Sequence, residues 1–259
     1  MKQKRNSRLK QYLFVIRELT GREIKRKYSR SKLGIVWSVL YPLLNMIVLS
    51  LIFSQMFEKS INNFPVYYLC GSVLWSLFTT ATQTAMTALV DNKQMLIKVK
   101  IPMQVFVISR VYTAFVNFIY SLIAFVPILI IFHVRLNARI LFLVVIVMFE
   151  LLFTVGFSYI LSIGYVFFGD VRHLYSIMLT MWMYLSAIFY PVSSLPDIMI
   201  KIVANNPIYL FIDGMRWIVL EGVFPPGRTV LKMIVWSMFV YLMGSLIFYK
   251  STNKVMQKL

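Results

Sequence analysis

The sequence predicts an all-α integral membrane protein. It has six transmembrane helices, an amphipathic helix ahead of the first, a short cytoplasmic helix between the second and third, and short re-entrant outer helices between the fifth and sixth. Three observations predict it. Of the 259 residues, 59% are hydrophobic and only 14% charged, with a mean hydropathy of +0.75. Soluble domains carry about 25% charged residues, so this chain lacks the polar surface to cover a globule and requires lipid. Uncharged runs of about 20 residues, enough to cross a hydrocarbon core of roughly 30 Å, recur along it. Finally, its 27 Lys and Arg, set against 9 Asp and Glu for a formal net charge of +18, fall unevenly between alternate connections.

Residues 33–57 and 64–90 form the first two runs, with a short polar turn at 58–63 between them, so they pair as a hairpin. Residues 111–132 form the third run and 140–168 the fourth, which is interrupted by a single charge, Glu150. The fifth covers 174–190 and the sixth 229–249, where Lys232 stands near the start and can snorkel. Pro42 in the first run and Pro127 in the third each remove a backbone donor and favour a kink. No internal repeat or low-complexity tract divides the chain. Residues 1–259 are therefore read as one membrane domain, with an interface helix and basic segment at 1–32, a six-span core at 33–249 and a tail at 250–259.

Six spans place both termini on one side. With that side cytoplasmic, the inner segments hold twenty Lys and Arg and the outer ones seven, the asymmetry that retention of positive charge inside produces. Ahead of the first span, Leu9, Tyr12, Leu13, Ile16 and Leu19 recur at helical spacing among Arg8, Lys10, Arg17 and Arg22. This predicts an amphipathic helix in the membrane interface, in which Glu18 and Arg22 can pair and Gly21 loosens the chain before a basic cluster at 22–32. Such a helix is held by anionic lipid, or also touches a cytoplasmic partner.

Between the second and third spans, Met95, Leu96, Ile97 and Ile101 are costly to leave in water. They form a short helix seated in a groove of another protein, or one laid back on the membrane. Residues 190–228 are too apolar for a free loop and too broken by Pro191, Pro196, Pro207, Gly214 and Pro225 for a span. Short helices dipping into the outer leaflet fit them and make a candidate outer gate.

Charge and motifs exclude several functions. Twelve of the basic residues precede Leu33, a juxtamembrane arrangement that favours membrane lipid over nucleic acid as a partner. The apolar run that follows far exceeds the roughly 7–15 residues of a signal-peptide core, so the N-terminal segment is expected to be retained. Cys70 is the single cysteine, which rules out an intrachain disulfide and a Cys-based metal site. His133 and His173 lie on opposite sides of the membrane in this topology and cannot share a metal. The chain has no Gly-Lys pair and hence no P-loop for ATP. Catalysis by this chain is not expected.

Glu150 is the one acid placed inside the membrane, and it marks either a polar contact with another helix or a proton or substrate role. Asn45 and Asn117 read as interhelical hydrogen bonds. Trp37, Tyr67, Tyr68, Tyr190 and Trp217 stand near span ends, where aromatic belts form. Tyr41, Trp75, Trp182 and Tyr184 are less easily assigned by depth, and aromatic faces with a polar tip also suit sugar rings.

Several motifs in order carry a family resemblance. The stretch Arg22-Glu-Ile-Lys-Arg-Lys-Tyr-Ser-Arg-Ser-Lys-Leu-Gly-Ile-Val-Trp37 followed by Pro42 resembles the start of the first span in the permeases of type-2 ATP-binding-cassette exporters of polysaccharides and polyol phosphates. Asn92 and Leu96-Ile-Lys-Val-Lys-Ile-Pro102 resemble their cytoplasmic coupling helix, departing only at Val99-Lys100, where a second lysine often follows the first. Tyr190-Pro191, Pro196, Asn206-Pro207, Arg216 and Gly222 are similar to the pattern after their fifth span.

The resemblance implies a permease homodimer in the cytoplasmic membrane, joined to two copies of a separate ATPase that binds ATP and Mg, with no cofactor on this chain. The cargo it implies is a lipid-linked glycan, such as O-antigen, capsule, teichoic acid or rhamnan. It implies ATPase coupling through Met95, Leu96, Lys98, Lys100, Ile101 and Pro102, and a substrate path or gate at Trp37, Tyr41, Tyr190 and Arg216. For Arg216, capping a gate helix or stabilising the fold stands beside meeting a lipid-carrier phosphate. The other class is a stand-alone membrane protein, such as a proton-coupled carrier using Glu150 or a lipid-modifying enzyme. Against it stand the lack of catalytic clusters and the apolar connection that needs a partner.

Overall fold

The computed structural model describes residues 2–29, 34, 36–57, 61, 63–98, 101–135 and 137–258, and among them the chain is all-helical without strands. Helix α1, Lys2–Tyr28, runs without a break through Gly21, contrary to the loosening expected there. Thr20 bonds to α6 and the two residues after Gly21 bond to neighbouring elements, which holds the turn in place. Glu18 stays exposed while Arg22 reaches Asn92 instead.

Helix α2, Val36–Phe53, contains Pro42. Helix α3, Phe64–Met86, is started by the Asn63 side chain, which accepts the Val66 N–H at 3.4 Å, and by a proline in its first turn. It stops at Met86, short of the expected 90. Thr79, Thr82, Thr84 and Thr87 all donate to carbonyls three or four residues back, competing with the helical ladder. Two short helices follow, α4 Ala88–Asp91 and α5 Lys93–Lys98, before α6, Gln104–Ile131.

A 3-10 turn at Ala138–Phe142, capped by Asn137, leads into α7, Leu143–Phe167. Helix α8, Val171–Leu185, ends five residues before the expected boundary because Ala187 adopts a left-handed conformation, φ 46°, that no helix continues. The following segment folds as two helices of 7 and 13 residues, α9 Asp197–Val203 and α10 Pro207–Val219, both too short to cross a bilayer. Helix α11, Gly227–Lys258, absorbs the expected tail, and Val255 near its end is buried.

Among the described residues, three helical stretches are long and apolar enough to cross a membrane: Gln104–Ile131, Ala138–Phe167 and Gly227–Lys258. The others expected to span are shorter or more polar, and pack on this frame. Helix α3 is the hub, touching α2, α6, α7 and α10. Around Phe78 of α3 gather Phe153 and Phe157 of α7 and Trp182 of α8, with ring centroids 5.2–5.8 Å away.

The most extensive helix pair is α7 with α11. There Gly156 and Gly244 let the two backbones touch: a Cβ on Gly244 would overlap the Gly156 carbonyl, and one on Gly156 would strike the Tyr241 and Val240 backbone. In lipid, where no hydrophobic force separates protein from solvent, such close approach is a main source of helix adhesion. Replacing Gly244 with Ala should force the pair apart and destabilise the protein by about 1–3 kcal/mol, readable as a lower thermal midpoint in detergent. Replacing Gly227, where a Cβ meets nothing, should leave the midpoint unchanged.

Candidate functional site

Helices α2, α3, α6 and α8 line an open cavity of about 890 Å³. Its walls follow from helical periodicity. On α2, Trp37, Tyr41, Asn45, Leu49 and Phe53 recur every fourth residue and form one continuous stripe. On α3, Ser72, Trp75, Ser76, Thr79 and Thr80 share a face, and α6 adds Asn117, Phe118 and Ser121. Tyr184 and the turn residues Ile188 and Phe189 close one end.

Asn45 donates to the Tyr41 carbonyl at 2.9 Å, within its own helix rather than across helices as expected, and Asn117 donates to the Thr113 carbonyl at 3.0 Å. Thr79 likewise donates to Trp75 at 2.9 Å. No Asp, Glu, Lys or Arg lines the cavity among the described residues. Flat aromatic faces interleaved with hydroxyls and amides, without charge, match a neutral polyhydroxylated ligand. Trp37 and Tyr41, expected on a substrate path, both stand on this wall, and Tyr41 is 70% exposed.

Arg216 and Tyr190 take other positions. Arg216 on α10 is buried, with its guanidinium 3.4 Å from the centroid of the Tyr67 ring. Its Nη2 donates to the carbonyls of Ala187 and Ile188, each at 2.9 Å, and both Nε and Nη2 reach the Tyr67 carbonyl at 3.4 Å. Nε and Nη2 are turned onto backbone, the arrangement that the structural alternative for Arg216, stabilising the fold, calls for. The fork satisfies the carbonyls freed where α8 breaks and holds the strained turn.

Gly71 on α3 gives this side chain room, since a Cβ there would stand 3.2 Å from Nη2. Tyr190 donates to the Tyr184 carbonyl, and its own carbonyl accepts from the Tyr67 hydroxyl at 2.8 Å. Tyr190 therefore braces the turn behind the cavity wall. Beside Arg216, Asp213 accepts from Tyr209 and Trp217, each at 3.1 Å; burial pushes its carboxyl above the ordinary range, against the opposing effects of these hydrogen bonds and of Arg216.

At the end of the bundle that carries α1, the structure revises the apolar surface expected between α3 and α6. Leu96 is buried in the chain's own core, Met95 and Ile101 pack against it, and Pro102 is half-buried. Ile97, at 63% exposure, and Lys98 are the residues of that set left facing outward. Lys100 lies outside the described residues.

Behind them Arg110 of α6, only 6% exposed, is paired with Glu23 of α1 at 2.6 Å and Asp91 of α4 at 3.0 Å. Sequence reasoning counted Arg110 merely as one more basic residue beside the third span. Its signal was a lone arginine at the edge of an uncharged helix, too common a feature to single out.

Glu150 is wholly buried in α7, and neither carboxyl oxygen has a hydrogen-bond partner. Thr154 and Ser158, one and two turns onward, are buried and unpartnered as well. The expected contact with another helix is not made among the described residues. No group of three or more acidic, histidine or cysteine side chains suited to a metal occurs there either.

The profile of the ABC-2 type transporter family matches residues 15–220. The chain is 30% identical over 246 residues to the O-antigen export system permease protein RfbA of Myxococcus xanthus, covering 93% of each chain. It is 25% identical over 214 residues to a protein of the same name from Klebsiella pneumoniae, covering 82% of this chain and 83% of that one.

Two outcomes follow from this geometry. Replacing Arg216 with Met strands buried carbonyls and should cost about 3 kcal/mol of stability, seen as a lower thermal midpoint. Replacing Glu150 with Met removes an unpartnered buried carboxyl at similar volume and should raise that midpoint, by about 1–3 kcal/mol in stability.

Proposed function

Because this chain belongs to the ABC-2 type transporter family, we propose that it is the channel-forming permease subunit of an ATP-driven exporter. The cargo in this reading is a lipid-linked polysaccharide or polyol-phosphate polymer crossing the cytoplasmic membrane. As a member of the family it is a multi-pass membrane protein and a transport component rather than an enzyme. In the proposed assembly two copies form the conduit and two copies of a separate subunit bind ATP and Mg. Both termini face the cytoplasm, and α2, α3 and α8 together with the turn that follows it complete six spans with the three long apolar helices. Helices α9 and α10 then lie at the outer end as a gate braced by Tyr190 and Arg216, and Lys98 with its neighbours faces the ATPase.

The observation that carries the reading is the cavity between α2, α3, α6 and α8. A transported glycan has to be recognised without being trapped. Stacking on an aromatic face contributes about 0.5–1.5 kcal/mol, and the hydroxyls and amides of Ser76, Thr80 and Asn45 exchange water for sugar hydroxyls at little net gain. An uncharged wall of this kind offers many shallow positions of similar energy, along which a polymer slides.

The test has two arms. Purified in mild detergent from its own cells, the chain should bring with it a P-loop ATPase at about one copy per permease. A chain that purifies alone without ATPase activity would sink the proposal. In cells, replacing Trp75 and Tyr41 together with Ala should lower surface polymer about tenfold, the equivalent of about 1.4 kcal/mol, with protein level and ATPase assembly unchanged.

A further inference from the structure

The N-terminal end of the bundle holds a polar cluster that the cavity does not use. Arg110 Nη1 donates to Glu23 Oε2 on α1 at 2.6 Å, and Arg110 Nη2 donates to Asp91 Oδ2 on α4 at 3.0 Å. Asp91 Oδ2 also accepts from Thr87 at 2.8 Å. One residue back on α1 and one residue on from Asp91, Arg22 Nη2 donates to Asn92 Oδ1 at 2.9 Å, while Asn92 Nδ2 ties back to the Ala88 carbonyl at 2.8 Å. On the α6 side, Thr20 donates to the Ser109 carbonyl and accepts from Thr113, each at 3.3 Å. Two consecutive residues of α1 thus reach the α4–α5 junction by two routes: Arg22 bonds directly to Asn92, and Glu23 is joined to Asp91 only through Arg110, which holds both carboxylates.

The chemistry of the centre is selective. A planar guanidinium can hold two carboxylates from two directions at once, whereas a lysine ammonium is a compact point charge without that fork. Where bulk stability alone is needed, burying an arginine so that it pairs with a half-buried Glu23 and an exposed Asp91 is a poor device, because an apolar side chain of similar volume serves as well or better. What such a cluster does provide is a fixed relation between the elements it joins. The junction also leads to the cavity: Asn117, on its wall, lies seven residues along α6 from Arg110, about 10 Å at helical rise.

We propose that Arg110 is a positioning residue that locks the N-terminal helix and the α4–α5 pair into one rigid unit, so that a displacement imposed on either by a cytoplasmic ATPase is delivered to α6 and the cavity wall. This inference rests on the exporter reading above. It adds that coupling runs through a charge cluster inside the permease and is divided between two contact elements that must move together.

The experiment uses the full complex reconstituted in vesicles and reads polymer exported per ATP hydrolysed. Glu23→Gln cuts the link of α1 to Arg110, Asp91→Asn cuts that of α4, and Arg110→Lys keeps the charge without the fork. Each should leave the ATPase bound and hydrolysing while export per ATP falls at least fivefold. A rescue separates coupling from mere stability. In the Glu23→Gln background, Arg22→Cys with Asn92→Cys, joined by a short bis-maleimide, should restore the ratio, and the only native cysteine, Cys70, is buried.

If one variant fails to insert, the other two are read in the same assay. Assembled variants with the wild-type ratio overturn this inference alone. A cross-link that forms without restoring the ratio overturns it as well, assigning the cluster to stability. A wild-type chain that binds no ATPase overturns the exporter reading and this inference with it.

Discussion

A buried guanidinium, that of Arg216, holds the point on which the cavity depends. Helix α8 ends after 15 residues, and Ala187 turns the chain through a left-handed conformation that a residue with a Cβ adopts only when its surroundings compel it. The carbonyls freed by that break face the interior, where an unpartnered acceptor costs about 1–3 kcal/mol. Arg216 answers them from α10 while stacking on Tyr67 of α3, so one side chain binds three elements together. Ile188 and Phe189, which close the cavity, sit directly on this turn.

Arg110 solves the same problem at the other end of the bundle by a different route. Arg216 turns Nε and Nη2 onto backbone oxygens, whose positions the fold has already set. Arg110 bonds to two carboxylates on separate helices, and so couples parts that could otherwise shift. Between them, Glu150 with Thr154 and Ser158 forms a buried polar stripe without partners among the described residues, the reverse of both. The molecule therefore concentrates its satisfied charges at the two ends and leaves its middle to aromatic packing around Phe78 and to the glycine contact between α7 and α11.

Much of this was legible in the chain. The all-helical class, short helices within 190–228 and apolar helices over 111–132, 140–168 and 229–249 follow from runs of uncharged residues and the placement of proline, while the structure extends the first and last of these to Gln104 and Lys258. Trp37 and Tyr41 were identified as path residues through the family resemblance, and they do line a cavity. The turn at 186–189 was not legible, because nothing in Ser186-Ala-Ile-Phe189 signals a break; it is imposed by an arginine some thirty residues on. Nor was the burial of Leu96, since an apolar residue in a connection reads equally well as an exposed docking point or as a piece of core.

Composition and periodicity by themselves determined that this protein lives in lipid, that it is helical and where its main apolar helices run, because desolvation of the backbone leaves few alternatives and is additive along the chain. The tertiary structure alone decided which polar residues face one another: Arg110 with Glu23 and Asp91, Arg216 with the turn after α8, and Glu150 with no partner. Those pairings join residues 19 to 87 positions apart. Their partners are chosen by how the helices cross, a three-dimensional condition that no local pattern carries.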